Sequence, residues 1–358
     1  MKKIKIGKKT ISEKNETFFI ADIASNHDGS LKKAKKLIRL AKKSGADAAK
    51  FQNFYARTLV SDYGFKNLPK NKSHQNKWRK SVFETYKENE VSIKWTSELL
   101  KECKKNNIEY FTAPYDEGVI DVLNQFVKIW KVGSGDITYH ENILKMAGTG
   151  KPIIIATGAS NQREIDIIMN KINKINKNII IMQCNTNYTA KEENFNYINL
   201  NVLKNFKTRY PSAILGLSDH TLGHETVLGA VAMGARVIEK HFTDSNSNIG
   251  PDHKFSMNPK TWRLMVNSVR NLEKALGNKK KKLEENEKIT VQLQRRSIRI
   301  NKNVNKGYKI KKNDLEFLRP CPSDAVQCYD VDKIVNKKLN FNLIKGDYFK
   351  KRYLKKMK

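Results

Sequence analysis

Continuous apolar runs alternate with amphipathic segments along most of the chain, and this alternation limits the possible folds. In one unit, two apolar runs at 214–218 and 237–241 flank a helix-like segment at 225–234. Runs that are apolar throughout, rather than at every second position, are typical of parallel strands covered on both faces. We count about eight strand–helix pairs up to residue 276, which predicts a (β/α)8 barrel of the TIM type.

The alternation is interrupted once and then ends. Residues 55–94 are polar and lysine-rich, and because this insertion is too long for an ordinary connection, we expect a loop over a functional site. Residues 278–290 are charged and poor in apolar side chains, which predicts a linker. Beyond it, 306–315 is approximately repeated at 345–354. We therefore predict a barrel domain at 1–277, a charged linker at 278–290 and a small pseudo-symmetric domain of strands and turns at 291–358.

Composition excludes several classes of protein. The chain has 358 residues, of which 39% are hydrophobic, and its mean hydropathy of −0.64 is typical of a globular protein. No apolar run approaches membrane-spanning length, and the basic start has no apolar segment after it, so we expect a cytoplasmic protein without a membrane segment. The four cysteines show no C-x-x-C spacing, which indicates reduced thiols. The net charge of +33 could attract nucleic acid, but the lysines are spread along every segment, which favours a solvated surface and anionic substrates instead.

Two histidines, His220 and His241, lie at or near the ends of neighbouring predicted strands. Ligands bind at the C-terminal ends of parallel strands in barrels, so two imidazoles there could share one metal ion. Either histidine alone could equally be a buried packing residue. Further ionisable groups at Asp219, Glu239, Lys240 and 250–253 have little use in packing, and they favour a metal-assisted site.

Lysines inside apolar strands point to an anionic ligand. Lys50 and Lys131 are such lysines, and an unpaired buried ammonium group is costly. The small residues at 133–135 and 157–158 could let backbone N–H groups approach a phosphate. The same chemistry leaves an alternative open, an aldolase that forms a Schiff base through Lys50 or Lys240.

Seven motifs, in order, resemble those of the sialic acid synthases, which are barrel enzymes with a C-terminal antifreeze-like (SAF) domain. The motifs lie at 21–30, 45–52, 131–136, 150–158, 216–223, 237–243 and 250–252, and Arg319-Pro320 fits the SAF domain. The resemblance implies condensation of phosphoenolpyruvate with the open-chain aldehyde of an N-acylated amino sugar. The products would be a nonulosonic acid and phosphate. The acceptor would be N-acetylmannosamine or a diacetamido-trideoxyhexose.

The resemblance also implies a role for particular residues. A divalent ion, Mn²⁺ or Mg²⁺, would be held by His220 and His241, and the protein would be a domain-swapped homodimer. Asp22 stands where the family usually has the glutamate that handles the water, and the other two catalytic candidates are Glu239 and Asp252. Phosphoenolpyruvate would be bound by Lys50, Ser134 and Ser218. The sugar would be bound by Gln52, Asn71, Tyr188, Glu239 and Asp252, and Arg319 would reach its N-acyl group from the partner subunit.

The sequence also departs from the family pattern. Asp22 is one methylene shorter than glutamate, and Ala113 and Ala156 stand where relatives carry hydroxyl groups. Residues 185–187 are rearranged, and Cys321 follows Arg-Pro where glycine is usual. These departures motivate a second hypothesis, a non-catalytic relative that binds sugar or phosphate. We rank it below the enzyme, because a binding protein has no need for both histidines together with Lys50 and Glu239.

Overall fold

The structure is a computed structural model that describes residues 2–69, 75 and 78–357. The chain divides into two compact units, Met1–Gly277 and Asn278–Lys358. No helix among the described residues is both long and apolar enough to cross a membrane.

The first unit is built on a parallel sheet of eight strands, β3 to β10, in the order β5-β4-β3-β10-β9-β8-β7-β6. The two edge strands, β5 and β6, lie against each other and nearly close the sheet into a barrel. The predicted barrel fold is therefore confirmed. The strands of this unit are β1 Ile4–Ile6, β2 Lys9–Ile11, β3 Phe18–Asp22, β4 Ala48–Asn53, β5 Glu109–Pro114, β6 Trp130–Val132, β7 Ile153–Ala156, β8 Ile179–Cys184, β9 Ile214–Asp219 and β10 Val237–His241.

Helices follow the strands and cover the sheet. They are α1 Leu31–Lys43, α2 Ala56–Leu59, α3 Asp62–Lys66, α4 Val82–Glu88, α5 Thr96–Lys105, α6 Glu117–Leu123, α7 His140–Gly148, α8 Gln162–Ile175, α9 Val202–Arg209, α10 Glu225–Ala232 and α11 Pro259–Leu276. Helix α1 shows why these segments are helical. Ser30 caps its first turn by accepting a hydrogen bond from the Lys33 N–H, and its buried side chains recur at helical spacing at Ala34, Leu37, Ile38 and Ala41.

Inward-facing residues change character along the strands. Side chains alternate between the two faces of a strand, so every second residue faces the barrel interior. At the N-terminal ends, the interior cluster contains Phe18, Ile20, Ala48, Ile129 and Val237. Two residues further along, the same face carries Asp22, Lys50, Lys131 and Glu239. The barrel therefore has an apolar half and a charged half.

A hairpin that the sequence analysis did not predict closes the apolar half. Strands β1 and β2 pair antiparallel with Ile6 opposite Lys9, so only Gly7 and Lys8 form the loop. Gly7 has φ +57°, a conformation that glycine adopts easily. Ile4, Ile6 and Ile11 are buried in the interior cluster, next to residues such as Phe18. The first residues of the chain thus form the floor of the barrel.

The insertion at 55–94 was expected to be a loop, but it contains three short helices, α2, α3 and α4, where residues are described. Helix α4 begins with a capping box, in which Ser81 and Glu84 each accept a hydrogen bond from the other's backbone N–H. A capping box gives a short helix a defined start, so local signals for helix formation were present in this segment.

The second unit contains helix α12 Lys288–Gln294, strands β11 Ser297–Ile300 and β12 Leu315–Leu318, and helix α13 Lys351–Leu354. Helix α12 begins two residues before the predicted end of the linker, and the predicted bounds of linker and domain stay a prediction. The internal repeat has matching geometry. Lys306 N–H donates to Asn342 Oδ1 and Lys345 N–H donates to Asn303 Oδ1, both at 2.8 Å. The assignment of this unit as an SAF domain stays a prediction.

Short 3-10 helices complete the two units. They lie at Ile93–Trp95, Ser134–Asp136, Glu192–Tyr197, Glu285–Glu287, Lys312–Asp314 and Cys328–Lys333.

Candidate functional site

A cavity of about 340 Å³ lies at the C-terminal ends of the barrel strands. Its charged lining comes from different strands, because parallel strands bring their C-terminal ends to one rim. The lining contains four carboxyl groups, two ammonium groups and two imidazoles. They are Asp22, Asp136, Glu239 and Asp252, then Lys50 and Lys131, then His220 and His241.

Two lysines and two carboxylates form a buried cluster at the base of this cavity. Lys50 Nζ lies 2.6 Å from Asp22 Oδ2 and 3.4 Å from Glu239 Oε1. Lys131 Nζ donates to the same Glu239 oxygen at 2.8 Å. All four side chains are at most 4% exposed. The Ser218 hydroxyl lies 3.4 Å from Glu239 Oε1 and completes the cluster.

The cluster keeps Asp22, Glu239 and Lys50 ionised. Burial raises the pKa of Asp22, but Lys50 and His241 lower it more, to about 2. Burial also raises the pKa of Glu239, and Lys131 and Lys50 outweigh it, so that this pKa lies below its usual value. For Lys50, burial lowers the pKa, while Asp22 and Glu239 raise it overall. Lys50 is therefore held as an ammonium ion.

His220 and His241 come together as predicted, with ring centroids 5.2 Å apart. His220 Nδ1 lies 2.9 Å from the Asn185 carbonyl oxygen. A carbonyl only accepts, so Nδ1 carries the proton and Nε2 is left to act as a ligand. Burial lowers the pKa of His241, which favours the neutral ring, and its Nδ1 is a buried nitrogen for which the described residues provide no hydrogen-bond partner. For His220 burial also lowers the pKa, but a hydrogen bond with Cys184 raises it overall.

These residues fit a divalent ion bound by two protein ligands. Within residues 2–69, 75 and 78–357, no three His, Cys, Asp or Glu side chains are grouped to hold a metal. The remaining positions would thus be filled by water or substrate oxygens, as in an open catalytic site. Among the described lining residues, carboxyl groups outnumber ammonium groups, so a dication would offset negative charge there before an anion enters. That the protein binds a divalent ion, and which one, stays a prediction.

The structure places most of the predicted substrate-binding residues on the cavity. Gln52, Ser134, Tyr188 and Ser218 line it, and Gln52 Nε2 lies 3.3 Å from Asp22 Oδ2. Asp252 Oδ2 accepts the Ser25 N–H at 3.0 Å and lies 3.8 Å from His241 Nδ1. Asn71 lies outside the described residues. Arg319 belongs to the second unit, directly after β12. Their predicted roles stay predictions.

Lys240 is close in sequence to the site but faces away from it. It is 1% exposed, and its ammonium group forms an ion pair with Asp219 and donates to the Thr221 carbonyl at 2.7 Å. Asp219 also accepts from the hydroxyl of Thr226 at 2.8 Å. Since Glu239 and His241 face the cavity, strand alternation puts Lys240 on the other face.

Two further lining residues, Asp136 and Tyr115, were not among the predicted site residues. Burial raises the pKa of Asp136 to about 6 and the pKa of Tyr115 well above its usual value. A carboxyl group with a raised pKa can take up and release a proton near neutral pH. Tyr115 directly follows β5 and Asp136 lies four residues after the end of β6, so a position near a strand end was the available sequence signal.

The insertion supplies the opposite wall of the cavity. Leu59, Val60 and Phe65 line it together with Phe54, at the end of β4. Phe54 packs against Tyr86 and Tyr115 with ring centroids 5.4 and 6.2 Å apart. The cavity thus has a charged part at the strand ends and a second part from the insertion, in which these apolar side chains stand beside the polar Gln75, Thr85 and Asn89.

An eight-stranded parallel barrel with a charged cavity at its strand ends has the architecture of the TIM-barrel enzymes. The model of the NeuB family matches residues 37–281, which is more than half of the chain. The chain therefore belongs to the NeuB family.

Individual relatives support this assignment. The chain is 35% identical over 319 residues to an N,N'-diacetyllegionaminic acid synthase of Campylobacter jejuni, covering 88% of this chain and 94% of the relative. It is 29% identical over 344 residues to a pseudaminic acid synthase of the same organism, covering 94% and 96%. The crystal structure of an N-acetylneuraminic acid synthetase from Leptospira borgpetersenii matches with a TM-score of 0.69 and 28% identity, over 81% of this chain and 95% of that one. These relatives are named as acid synthases, so the chain belongs with synthase-type enzymes.

Proposed function

We propose that the protein condenses phosphoenolpyruvate with the open-chain form of an N-acylated amino sugar, giving a nonulosonic acid and phosphate. One observation carries the proposal. In a NeuB-family barrel, two buried ammonium groups, two imidazoles and the carboxylates of Asp22, Glu239 and Asp252 line one cavity.

Phosphoenolpyruvate would bind at the charged end of the cavity. Its phosphate and carboxylate are anions, and Lys50, Lys131, Ser134 and Ser218 offer ammonium and hydroxyl donors there. Both lysines are already paired, with Asp22 and Glu239. An entering anion therefore exchanges partners with these carboxylates rather than meeting free cations.

The partner exchange prepares a base. Once Lys50 turns toward the anion, Asp22 loses the main interaction that lowers its pKa, while burial, which raises it, remains. Asp22 then becomes a better proton acceptor for the water that attacks C2.

The reaction balances as follows. C3 of phosphoenolpyruvate forms a bond with the aldehyde carbon, and the aldehyde oxygen takes a proton. Water adds at C2 and gives one proton to Asp22, which passes it to the former aldehyde oxygen. The tetrahedral intermediate then breaks the bond between C2 and the phosphate oxygen, and its remaining hydroxyl becomes the C2 carbonyl as its proton goes to the released phosphate. A divalent ion held by His220 and His241 would polarise the aldehyde when bound. Asp252, at the His241 side of the cavity, would bind sugar hydroxyl groups.

For the acceptor, we propose a sugar with an apolar far end. Leu59, Val60 and Phe65 form a wall that matches a terminal methyl group and a second acetamido group better than a primary hydroxyl. This feature favours a diacetamido-trideoxyhexose over N-acetylmannosamine. It agrees with the name of the C. jejuni legionaminic acid synthase, the relative that shares 35% identity. We also propose that Arg319 completes the sugar site in a homodimer.

The Schiff-base alternative finds no support in the lysine environments. A Schiff base needs a neutral amine, but Asp22 and Glu239 raise the pKa of Lys50. Lys240 is committed to Asp219 on the other face of β10. Neither lysine is presented to the cavity as a nucleophile.

Phosphate release from phosphoenolpyruvate, measured against both acceptors with and without Mn²⁺, tests the proposal. We expect release only when acceptor and metal are both present, and Lys50→Met should abolish it while exposed Lys101→Met does not. In H₂¹⁸O, the released phosphate should carry no label, because water attacks carbon. Labelled phosphate would indicate simple phosphatase chemistry, and no turnover with either acceptor would favour the non-catalytic relative.

A further inference from the structure

His253 follows Asp252 directly and is fully buried, although it does not line the cavity. Both of its ring nitrogens are hydrogen-bonded. Nε2 lies 2.9 Å from Asp28 Oδ1, and Nδ1 lies 2.6 Å from the hydroxyl of Thr243. An ionised carboxylate only accepts, so Nε2–H donates to Asp28, while the Thr243 hydroxyl that contacts Nδ1 also lies 3.1 Å from the Ser245 carbonyl oxygen. His253 therefore joins the loop after β3, which carries Asp28, to the segment after β10, which carries Thr243.

A second set of bonds holds the same loop from the other side. Asn26 is fully buried, and its Nδ2 donates to the Phe242 carbonyl at 3.0 Å and to Ser256 Oγ at 2.9 Å. The Ser256 hydroxyl in turn donates to the Asp252 carbonyl at 2.6 Å. The loop after β3 thus holds the side chain of His253 through Asp28, and it holds the backbone carbonyl of Asp252 through Asn26 and Ser256.

The space around His253 leaves little room for adjustment. A Cβ atom at Gly250 would lie 2.8 Å from His253 Cδ2, so only glycine packs against the ring without displacement. Asp252 sits between these two residues, and its carboxylate accepts the Ser25 N–H and points toward His241. The position of Asp252 is therefore fixed by Ser25, which lines the cavity, and by Gly250, His253 and Ser256, which are not among its lining residues.

We propose that His253, held by Asp28 and Thr243, is a positioning residue that sets Asp252 for the acceptor sugar. This inference rests on the proposed function. Phosphoenolpyruvate is expected to bind through Lys50 and Lys131, which have no bond to this network among the described residues. Loss of the network should therefore weaken use of the acceptor and leave use of phosphoenolpyruvate largely unchanged.

The chain offers a matched set of variants. His253→Ala removes the hydrogen bonds to both Asp28 and Thr243, and Asp28→Ala removes the acceptor of the Nε2–H bond. Asp28→Asn is the conservative replacement, because its side-chain oxygen still accepts from Nε2. Lys33→Ala is the control, since Lys33 forms an ion pair with Asp28 from the more exposed side and makes no bond to His253. Each variant is measured in the full-length protein with both acceptor sugars and Mn²⁺.

We expect His253→Ala and Asp28→Ala to raise the KM for the acceptor by about tenfold or more, because each breaks a buried hydrogen bond. The KM for phosphoenolpyruvate should change by less than about twofold, and Asp28→Asn and Lys33→Ala should stay close to the wild type. Equal increases in both KM values would overturn the positioning role.

Hydrogen–deuterium exchange of the Ser25 amide provides a readout that does not depend on turnover. This N–H donates to the Asp252 carboxylate, so it should exchange about tenfold faster in His253→Ala and not in Lys33→Ala. Unchanged exchange would overturn the inference. If the wild type used neither acceptor, the proposed function would fail, and exchange would still decide whether His253 holds Asp252.

Discussion

Asp22→Asn removes one buried negative charge and keeps the shape of the side chain, so it measures the strength of the buried cluster. Asp22 is 2% exposed, and Lys50 Nζ lies 2.6 Å from its Oδ2. Burial raises its pKa, but Lys50 and His241 lower it overall to about 2. Against an unfolded-state pKa of about 3.9, the ionised carboxylate contributes about 2–3 kcal/mol to the free energy of unfolding at pH 7.

The difference between the folded and unfolded pKa of Asp22 determines how the stability depends on pH. Because the pKa is lower in the folded state, the contribution is fully present above the unfolded pKa and is lost as the pH falls through about 2. At pH 3 roughly half of it should remain. The asparagine has no such titration, so the difference in stability between the two proteins should narrow on acidification.

Urea unfolding followed by tryptophan fluorescence at pH 7 and pH 3 tests this expectation. At pH 7 the free energy of unfolding of the variant should be lower by about 2 kcal/mol or more, since Glu239 is then the carboxylate that remains beside Lys50 among the described residues. The control is Asp121→Asn, which removes the partner of Lys145 from an exposed ion pair and should change stability by less than about 0.5 kcal/mol. A loss of the same size at both pH values, or no loss at all, would refute the reasoning.

Two other substitutions test the proposed metal site and the ion pair of Lys240 with Asp219 separately. His241→Ala should weaken Mn²⁺ binding at least about tenfold in calorimetry without unfolding the protein. The control variant His140→Ala, at the first turn of α7, should bind Mn²⁺ like the wild type. Unchanged Mn²⁺ affinity in His241→Ala would exclude that histidine as a ligand. Lys240→Met should lower the free energy of unfolding by about 3–5 kcal/mol, because it leaves Asp219 buried without its cation. Adding Asp219→Asn to this variant should restore part of the lost stability in urea unfolding. A loss below about 1 kcal/mol in Lys240→Met alone would contradict the buried ion pair.

The sequence predicts which residues meet at the rim because parallel strands leave little choice. Once 214–218 and 237–241 are recognised as neighbouring strands, their C-terminal ends must lie at the same side of the sheet. That rule brings His220, His241 and Lys50 together without any knowledge of side-chain positions. The structure shows the same residues around one cavity.

Other features depend on information that a pattern of apolar runs does not contain. Strand alternation separates Lys240 from Glu239, but a list of strand-end residues treats them alike. The hairpin at Ile4–Ile11 has only a few apolar residues among many lysines, and its burial depends on a barrel interior formed by distant strands. The raised pKa of Asp136 results from burial by the folded insertion and rim, which no local spacing indicates.

The hairpin at the start of the chain has a practical consequence for experiments on this protein. It packs against the end of the barrel opposite the rim that carries Lys50 and the two histidines. An affinity tag joined ahead of Ile4 would therefore sit far from the reaction centre. Trimming the first eleven residues would instead uncover a ring of isoleucine and phenylalanine side chains to water and invite aggregation.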